Sequence, residues 1–184
     1  MVGTYVTAGQ IDNAGSVLSL LEFDSELPDN LKGRLAIEKA FTYLKTFSYP
    51  EASEQLEIAR QDNNLPNWLR VRAAFLNGQL LQRLGNHELA ATNFEFVLDF
   101  YPKIEMDFYA RKYIADNRLL VGSDVANATT PLRKMLKDAK YANYYDQVYY
   151  VLGKLVAKTG DADEAAGYFT KSTTVPKATK KQKA

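Results

Sequence analysis

The sequence of 184 residues contains no cysteine and a single histidine. The absence of cysteine excludes disulfide bonds, thiolate catalysis, iron–sulfur clusters and cysteine-ligated zinc within this chain. A chain of this length buries about 68–70% of its unfolded surface, so it does not need such cross-links to hold a core. The composition, with 46% hydrophobic residues, is that of a globular segment with a substantial core.

Recognisable catalytic motifs are also missing, since the sequence has no glycine-rich phosphate loop, HExxH or GxSxG pattern. His87 lies at a turn position, where packing or capping explains it. Asp161, Asp163 and Glu164 form a small acidic group that a helix-capping turn explains without a metal ion. We therefore expect a protein that is not an enzyme, with no catalytic, cofactor-binding or metal-binding residues and no cofactor.

An excess of one charge is absent as well, because 23 Lys and Arg balance 22 Asp and Glu. This argues against nucleic-acid binding, which needs a basic field or stripe. Four of the lysines crowd residues 177–184, so the rest of the chain is mildly acidic, with 19 basic and 22 acidic groups. No apolar run approaches the roughly 20 residues that cross a bilayer, and the first residues do not form a secretory signal.

What the sequence does contain is an internal repeat. Gly78 is followed seven residues later by Gly85, then by Ala90 and Phe94, and the same spacing recurs from Gly153. Because the small residues allow two helices to cross closely while the phenylalanine fills the space beside them, each copy predicts a helical hairpin. The turn glycines suit the left-handed position that ends a helix, and Asp161 with Glu164 predicts a capping box.

This spacing resembles the tetratricopeptide repeat, which has a period of about 34 residues. The resemblance predicts an all-α fold, a right-handed superhelix of antiparallel helix hairpins over residues 1–176. We expect about 4.5 hairpins, with residues 1–30 as a partial one. The complete hairpins are expected at 31–65, 66–102, 103–140 and 141–176.

Elsewhere in the chain weaker copies of the same spacing predict further helix boundaries. We expect helices at Ile104–Leu120 and Asn127–Asp138, joined by a turn about four residues longer than usual. The first hairpin would have its first helix before Met1, or only a short one over 2–8. Residues 177–184 are expected to begin a further repeat helix, and a disordered basic tail is the alternative. Both ends of the chain would then be cuts through a longer superhelix.

In such a superhelix the first helices of successive hairpins line the concave face, which is the expected partner-binding surface. The predicted binding residues are Arg72, Phe75, Gln79, Tyr109, Tyr113, Tyr150 and Lys154. Tyrosine and arginine are enriched where proteins bind one another. The alternative is that these tyrosines only pack neighbouring helices together. The Lys, Asn and Arg clamp by which some repeats grip a chaperone carboxylate has no counterpart here.

Beyond the general repeat, several runs resemble the PorW/SprE lipoproteins of Bacteroidetes. The most specific are Glu105–Arg111 and Asp146–Tyr150, which the repeat itself does not require, and the similarity extends over residues 30–184. The resemblance implies a periplasm-facing, outer-membrane-associated protein of type IX secretion and gliding motility. Its partners would be envelope components of the secretion machine. The lipid-bearing cysteine of that family is absent, so membrane attachment would require a lipid anchor outside this chain.

The sequence therefore predicts a non-enzymatic scaffold for protein partners, within a type IX secretion apparatus. A generic peptide-binding adaptor of the same repeat class in another pathway, with a cytoplasmic location, is the alternative interpretation.

Overall fold

The computed structural model of the chain describes residues 2–175, which contain ten α-helices, one 3₁₀ helix and no β-strand. The chain divides into two compact units, Met1–Phe100 and Tyr101–Ala184. The helices of the first unit are α1 (Val2–Thr7), α2 (Ile11–Glu22), α3 (Asp29–Lys45), α4 (Tyr49–Gln61), α5 (Asn67–Arg83) and α6 (His87–Asp99). Those of the second are α7 (Ile104–Leu120), α8 (Val125–Met135), the 3₁₀ helix (Ala139–Tyr144), α9 (Tyr145–Ala157) and α10 (Ala162–Thr174).

In both units, consecutive helices pack as antiparallel hairpins around buried apolar residues. In the first unit Ala52 and Ala90, near the start of α4 and α6, are fully buried. In the second unit the core contains Phe108, Leu132, Met135 and Leu152, all of which are essentially inaccessible to solvent. The predicted fold class, an all-α arrangement of antiparallel hairpins, is confirmed.

The close helix crossings lie where the repeat spacing predicts them. A Cβ atom placed on Gly78 would lie 2.8 Å from the ring of Phe94, and one on Gly153 would lie 2.8 Å from the ring of Phe169. Such distances are too short for non-bonded carbon atoms, which pack best at about 3.5–4.0 Å. Glycine is therefore required at both positions because a phenylalanine ring occupies the space of its missing side chain.

The turns inside the hairpins also follow the prediction at two places. Gly85 and Gly160 have φ angles of +82° and +89°, in the left-handed region that glycine adopts without steric cost. In the α3–α4 hairpin the equivalent position is Phe47, with φ of 60°. The sequence pattern gives no warning of this, since a phenylalanine in the left-handed region is uncommon.

Asp161 caps the start of α10 as predicted. Its Oδ1 accepts a hydrogen bond of 2.9 Å from the backbone N–H of Glu164. The Glu164 side chain pairs instead with Arg133 at 3.1 Å, so only the Asp161 half of the capping box forms.

In the second unit the predicted ends of α7 are confirmed, whereas those of the next helix are wrong. Helix α7 spans Ile104–Leu120, as expected. The expected start of the next helix at Asn127 was wrong, because Asp124 caps α8 by accepting a hydrogen bond from the Asn127 N–H and the helix begins at Val125. Its expected end at Asp138 was wrong as well, since α8 ends at Met135. The turn is therefore residues 121–124, one residue longer than residues 84–86 of the α5–α6 hairpin and not four longer.

At the start of the chain the structure favours one of the two expectations, since the first helix is the short α1, Val2–Thr7. Val2 and Val6 of α1 pack with Ala14 and Leu18 of α2 in a small buried cluster. The prediction for residues 177–184 lies outside the described residues. A single superhelix over residues 1–176 remains a prediction. None of the helices within residues 2–175 is both long enough and apolar enough to span a bilayer.

Candidate protein-interaction groove

Two first helices of the second unit, α7 and α9, enclose a small open groove. It has a volume of about 180 Å³. Its lining residues are Phe108, Tyr109, Lys112 and Asp116 from α7 and Gln147, Tyr150, Val151 and Lys154 from α9. Three of the seven predicted binding residues, Tyr109, Tyr150 and Lys154, thus surround one cavity, which we call the α7–α9 groove.

The aromatic walls of the α7–α9 groove are both anchored and exposed. Tyr109 retains 36% of its accessible surface and lies edge-on to the buried ring of Phe108, with centroids 5.1 Å apart. Tyr150 retains 52% and packs against Phe169 of α10 at 5.9 Å. Packing holds one side of each ring, and the other side faces solvent. Because the rings are already ordered, binding a partner would cost little further conformational entropy.

The charges around the groove do not cancel. Lys112 and Asp116 form an ion pair of 2.8 Å within α7 and neutralise each other. Lys154 is exposed, and its Nζ lies 5.8 Å from the centroid of the Tyr150 ring, within the range of a cation–π contact. The lining residues therefore carry one net positive charge, next to an exposed aromatic ring.

The size of the groove restricts what it can hold. Pockets for drug-sized ligands and cofactors have volumes of about 300–1,000 Å³. The 180 Å³ of the α7–α9 groove lies below that range. The groove matches one side chain of a partner protein better than a complete small molecule.

Tyr113, the fourth predicted residue of this unit, lies beside the groove without lining it. Its ring stacks on Tyr109 with centroids 6.3 Å apart, and Lys112 Nζ lies 4.5 Å from its centroid. Tyr113 therefore extends the aromatic wall along α7 and supports the orientation of Tyr109.

The remaining predicted residues, Arg72, Phe75 and Gln79, lie on α5 in the other unit. Arg72 and Gln79 are exposed, as a binding role requires. Phe75 is partly buried and makes an edge-to-face contact of 5.5 Å with Phe94, so much of its surface serves the helix crossing. None of these three residues lines the α7–α9 groove.

The predicted binding residues leave out five of the eight lining residues, which are Phe108, Lys112, Asp116, Gln147 and Val151. A signal for two of them was present, because Lys112 and Asp116 follow Tyr109 by three and seven residues and so share its helical face. Phe108 is only 1% exposed and belongs to the core of the unit.

A buried hydrogen-bond network holds α7 against the 3₁₀ helix. Tyr141 Oη donates to Asp107 Oδ2 at 2.7 Å, and Arg111 Nε donates to the same oxygen at 2.8 Å. Burial, together with the hydrogen bond to Asp107, raises the pKa of the Tyr141 phenol. Tyr109 lies between Asp107 and Arg111 on α7, and both of these residues belong to the Glu105–Arg111 run that the sequence singles out.

In the part of the chain that the structure describes, no group of three or more His, Asp or Glu side chains could hold a metal ion.

The chain is similar in fold to solved structures of other proteins. No protein-family model matches the chain, and no curated protein sequence matches it. Among solved structures, the crystal structure of MamA superimposes with a TM-score of 0.63 over 94% of this chain and 92% of MamA, at 16% sequence identity. A MamA RS-1 ArsTM double mutant gives a TM-score of 0.62 over 95% of this chain and 89% of the mutant chain, also at 16% identity.

A third structure, BtubC (BKLC) from P. vanneervenii, gives a TM-score of 0.61 at 12% identity, covering 95% of this chain and 76% of BtubC. MamA and BtubC are helical-repeat proteins similar to tetratricopeptide-repeat proteins. At these identities the likeness shows the fold alone, and the fold is the one that the repeat spacing predicts.

Proposed function

We propose that this chain is a non-enzymatic scaffold that binds partner proteins, with the α7–α9 groove as a binding site. The observation that carries the proposal is the meeting of Tyr109, Tyr150 and Lys154 around one cavity. Exposed tyrosines next to a cation are typical anchors of protein interfaces. The tetratricopeptide-like fold supports the proposal, because stacked helical repeats present extended binding surfaces.

The groove favours an extended segment of the partner. One apolar or aromatic side chain would enter the cavity between Tyr109 and Tyr150, and an acidic residue next to it in the segment would lie near Lys154. Extended peptides bind in this way where aromatic walls accept a side chain and polar groups on the rim fix its orientation. Oppositely charged groups at such a rim mainly improve specificity and the association rate.

We further propose that the scaffold works in type IX secretion or gliding motility in the envelope of a Bacteroidetes species. The runs that resemble PorW/SprE lipoproteins support this, above all Glu105–Arg111 and Asp146–Tyr150. The proposal includes a periplasmic location at the outer membrane, an attachment through a lipid anchor outside this chain, and partners among the envelope components of the secretion machine. An adaptor in another pathway would share the groove but capture partners of a different kind.

The binding site is tested by removing both exposed rings, in a Tyr109→Ala, Tyr150→Ala variant. We expect it to bind envelope partners at least tenfold more weakly, because hot-spot aromatic residues each contribute about 2 kcal/mol or more to binding. Pull-down from envelope extracts, with quantified capture of each protein, measures the loss. Circular dichroism should show unchanged helix content, since both rings are substantially exposed.

A matched control is Tyr101→Ala. Tyr101 belongs to the same unit and is 94% exposed, but it does not line the groove. If the control weakens capture as much as the double variant does, or if the double variant binds normally, the groove is not the binding site. Loss of helicity in the double variant would assign the two rings to the core instead.

A further inference from the structure

The first unit contains a second, larger cleft, which lies between α4 and α6. Its volume is about 410 Å³, within the range of ligand pockets. Its lining residues are Pro50, Ser53, Glu54, Glu57 and Arg60 from α4, Asn77, Leu81 and Leu84 from α5 and its end, and Asn86, Leu89, Thr92 and Asn93 from α6 and its start. We call it the α4–α6 cleft. None of its residues belongs to the predicted binding surface.

The floor of the α4–α6 cleft is a buried group of polar side chains. Ser53 Oγ donates a hydrogen bond of 2.6 Å to Asn77 Oδ1. Asn77 Nδ2 in turn donates to Glu57 Oε2 at 3.2 Å and, more weakly, to Asn93 Oδ1 at 3.4 Å. Asn77 and Asn93 are only 1% and 3% exposed. Each floor group has a partner, and Ser53 Oγ and Asn93 Oδ1 keep further capacity to accept hydrogen bonds.

The fold itself does not require these amides. Asn77 immediately precedes the crossing glycine Gly78, and at the same register of the second unit Leu152 precedes Gly153 and is fully buried. Asn93 precedes the crossing ring of Phe94, where the second unit has a tyrosine before Phe169. Since a buried amide contributes little net stability compared with a well-packed leucine, departures of this kind concentrate at functional sites.

Exposed leucines lie at the mouth of the cleft beside polar side chains. Leu84 and Leu89 remain 36% and 56% exposed, and Glu54, Asn86 and Thr92 are exposed as well. Exposed leucines around a polar floor suit a ligand with an aliphatic stem and a polar end. The side chains of lysine and arginine have this construction, and they bury their methylene stems along apolar surfaces.

The charges of the cleft select the sign of that polar end. The lining residues include two carboxylates and one guanidinium. Glu57 is already bound by Arg60, Gln61 and Asn77, and the hydrogen bond from Arg60 lowers the pKa of its carboxyl despite partial burial. Glu54 is exposed, and among residues 2–175 no hydrogen bond or ion pair reaches its carboxylate. A cationic group bound in the cleft would give the Glu54 carboxylate a partner.

We propose that the α4–α6 cleft binds a lysine or arginine side chain of a partner protein. The aliphatic stem lies along Leu84 and Leu89, and the cationic head reaches the Glu54 carboxylate and the oxygen acceptors of Ser53 and Asn93. This site is independent of the α7–α9 groove, which is in the other unit and selects an acidic segment. The scaffold thus has two binding sites of opposite charge preference.

The test is a titration of the whole chain with Nα-acetyl-lysine-N-methylamide and Nα-acetyl-arginine-N-methylamide, followed by NMR of the Asn77 and Asn93 side-chain NH₂ groups. We expect saturable shifts with a Kd on the order of 1 mM, appropriate to a single side chain. The neutral norleucine analogue should bind at least tenfold more weakly, and the glutamate analogue should give no saturable shift. Shifts that do not saturate, or equal binding of the norleucine analogue, would overturn the proposal.

Two variants connect the binding to the cleft. Glu54→Gln should weaken lysine binding about three- to fivefold, as expected for loss of an exposed ion pair. Asn77→Leu, which installs the residue that the second unit has at this register, should abolish the shift at Asn93 by filling the floor. Glu51→Gln, on the same helix but outside the cleft, is the matched control and should bind normally.

Unchanged binding in Glu54→Gln would overturn the proposal even if Asn77→Leu did not fold. The Tyr109→Ala, Tyr150→Ala variant should bind the lysine probe normally. This arm distinguishes failure of the cleft from failure of the proposed function of the α7–α9 groove.

Discussion

At the residue scale, the crossing glycines carry the strongest link between sequence and structure. Their spacing is readable without coordinates, and the structure supplies the reason, which is a phenylalanine ring within 2.8 Å of each missing side chain. One residue-scale feature, the left-handed backbone of Phe47, could not be predicted from the sequence pattern. Phe47 takes a left-handed turn position that glycine takes in the neighbouring hairpin, and its ring makes an edge contact with Tyr49 at 6.2 Å.

We predict that Gly153→Ala destabilises the fold, since the added methyl group overpacks the crossing against the Phe169 ring at a cost of about 1–3 kcal/mol. Alanine gains about 1 kcal/mol of helix propensity over glycine, so the net loss should be up to about 2 kcal/mol. Urea denaturation monitored by circular dichroism measures the change in the free energy of unfolding.

Gly167→Ala is the matched control, because Gly167 lies inside α10 with no atom within 4 Å of an added Cβ. It should stabilise the protein by up to about 1 kcal/mol. If both substitutions stabilise the protein equally, the crossing is not tight and the packing argument is wrong.

The half-buried Glu57 predicts a dependence of stability on acid pH. Hydrogen bonding to Arg60 lowers its pKa in the folded state below the ordinary value of 4.5. A carboxyl with a depressed folded pKa stabilises the fold above its unfolded pKa, and that contribution is lost as the pH falls through the folded value. The difference in stability between wild type and Glu57→Gln should therefore be constant near neutrality and shrink below about pH 4.5. A difference that stays constant down to pH 2 would contradict this.

At the scale of the elements, most helices could be predicted, and the errors have local causes. Helix α7 matches the prediction at both ends because the apolar period is clear and a long helix leaves little ambiguity. The start of α8 was misplaced because the capping role of Asp124 was not recognised. The 3₁₀ helix over Ala139–Tyr144 was not predicted, since tertiary contacts such as the bond from Tyr141 to Asp107 help to hold it.

The capping hydrogen bond of α10 gives a prediction at this scale. Asp161→Ala should lower the free energy of unfolding by about 0.5–2 kcal/mol, because the Glu164 N–H loses its acceptor. Asp163→Ala is the control, since Asp163 lies in the first turn of α10 but does not cap it. Its removal weakens only the interaction with the helix dipole, worth about 0.3–1 kcal/mol. Equal losses in thermal denaturation would show that Asp161 does not act as the cap.

At the scale of the whole molecule, the sequence predicts the fold class well and the binding sites only in part. Periodicity identifies which residues share a helical face, so Tyr109, Tyr150 and Lys154 could be proposed as binding residues. It does not reveal empty volume, which depends on how large the neighbouring side chains are. For this reason the α4–α6 cleft, created where Asn77 and Asn93 replace larger residues, could not be found from the pattern alone.

Binding of partner proteins to the α7–α9 groove can be tested in cells of the organism that encodes the chain. A photo-crosslinking amino acid is placed at Tyr150, or at Tyr101 as the exposed control. We expect one specific crosslinked partner from position 150, an envelope component of the secretion machine, which disappears when Tyr109→Ala is added. The same products from both positions, or no product from position 150, would contradict it.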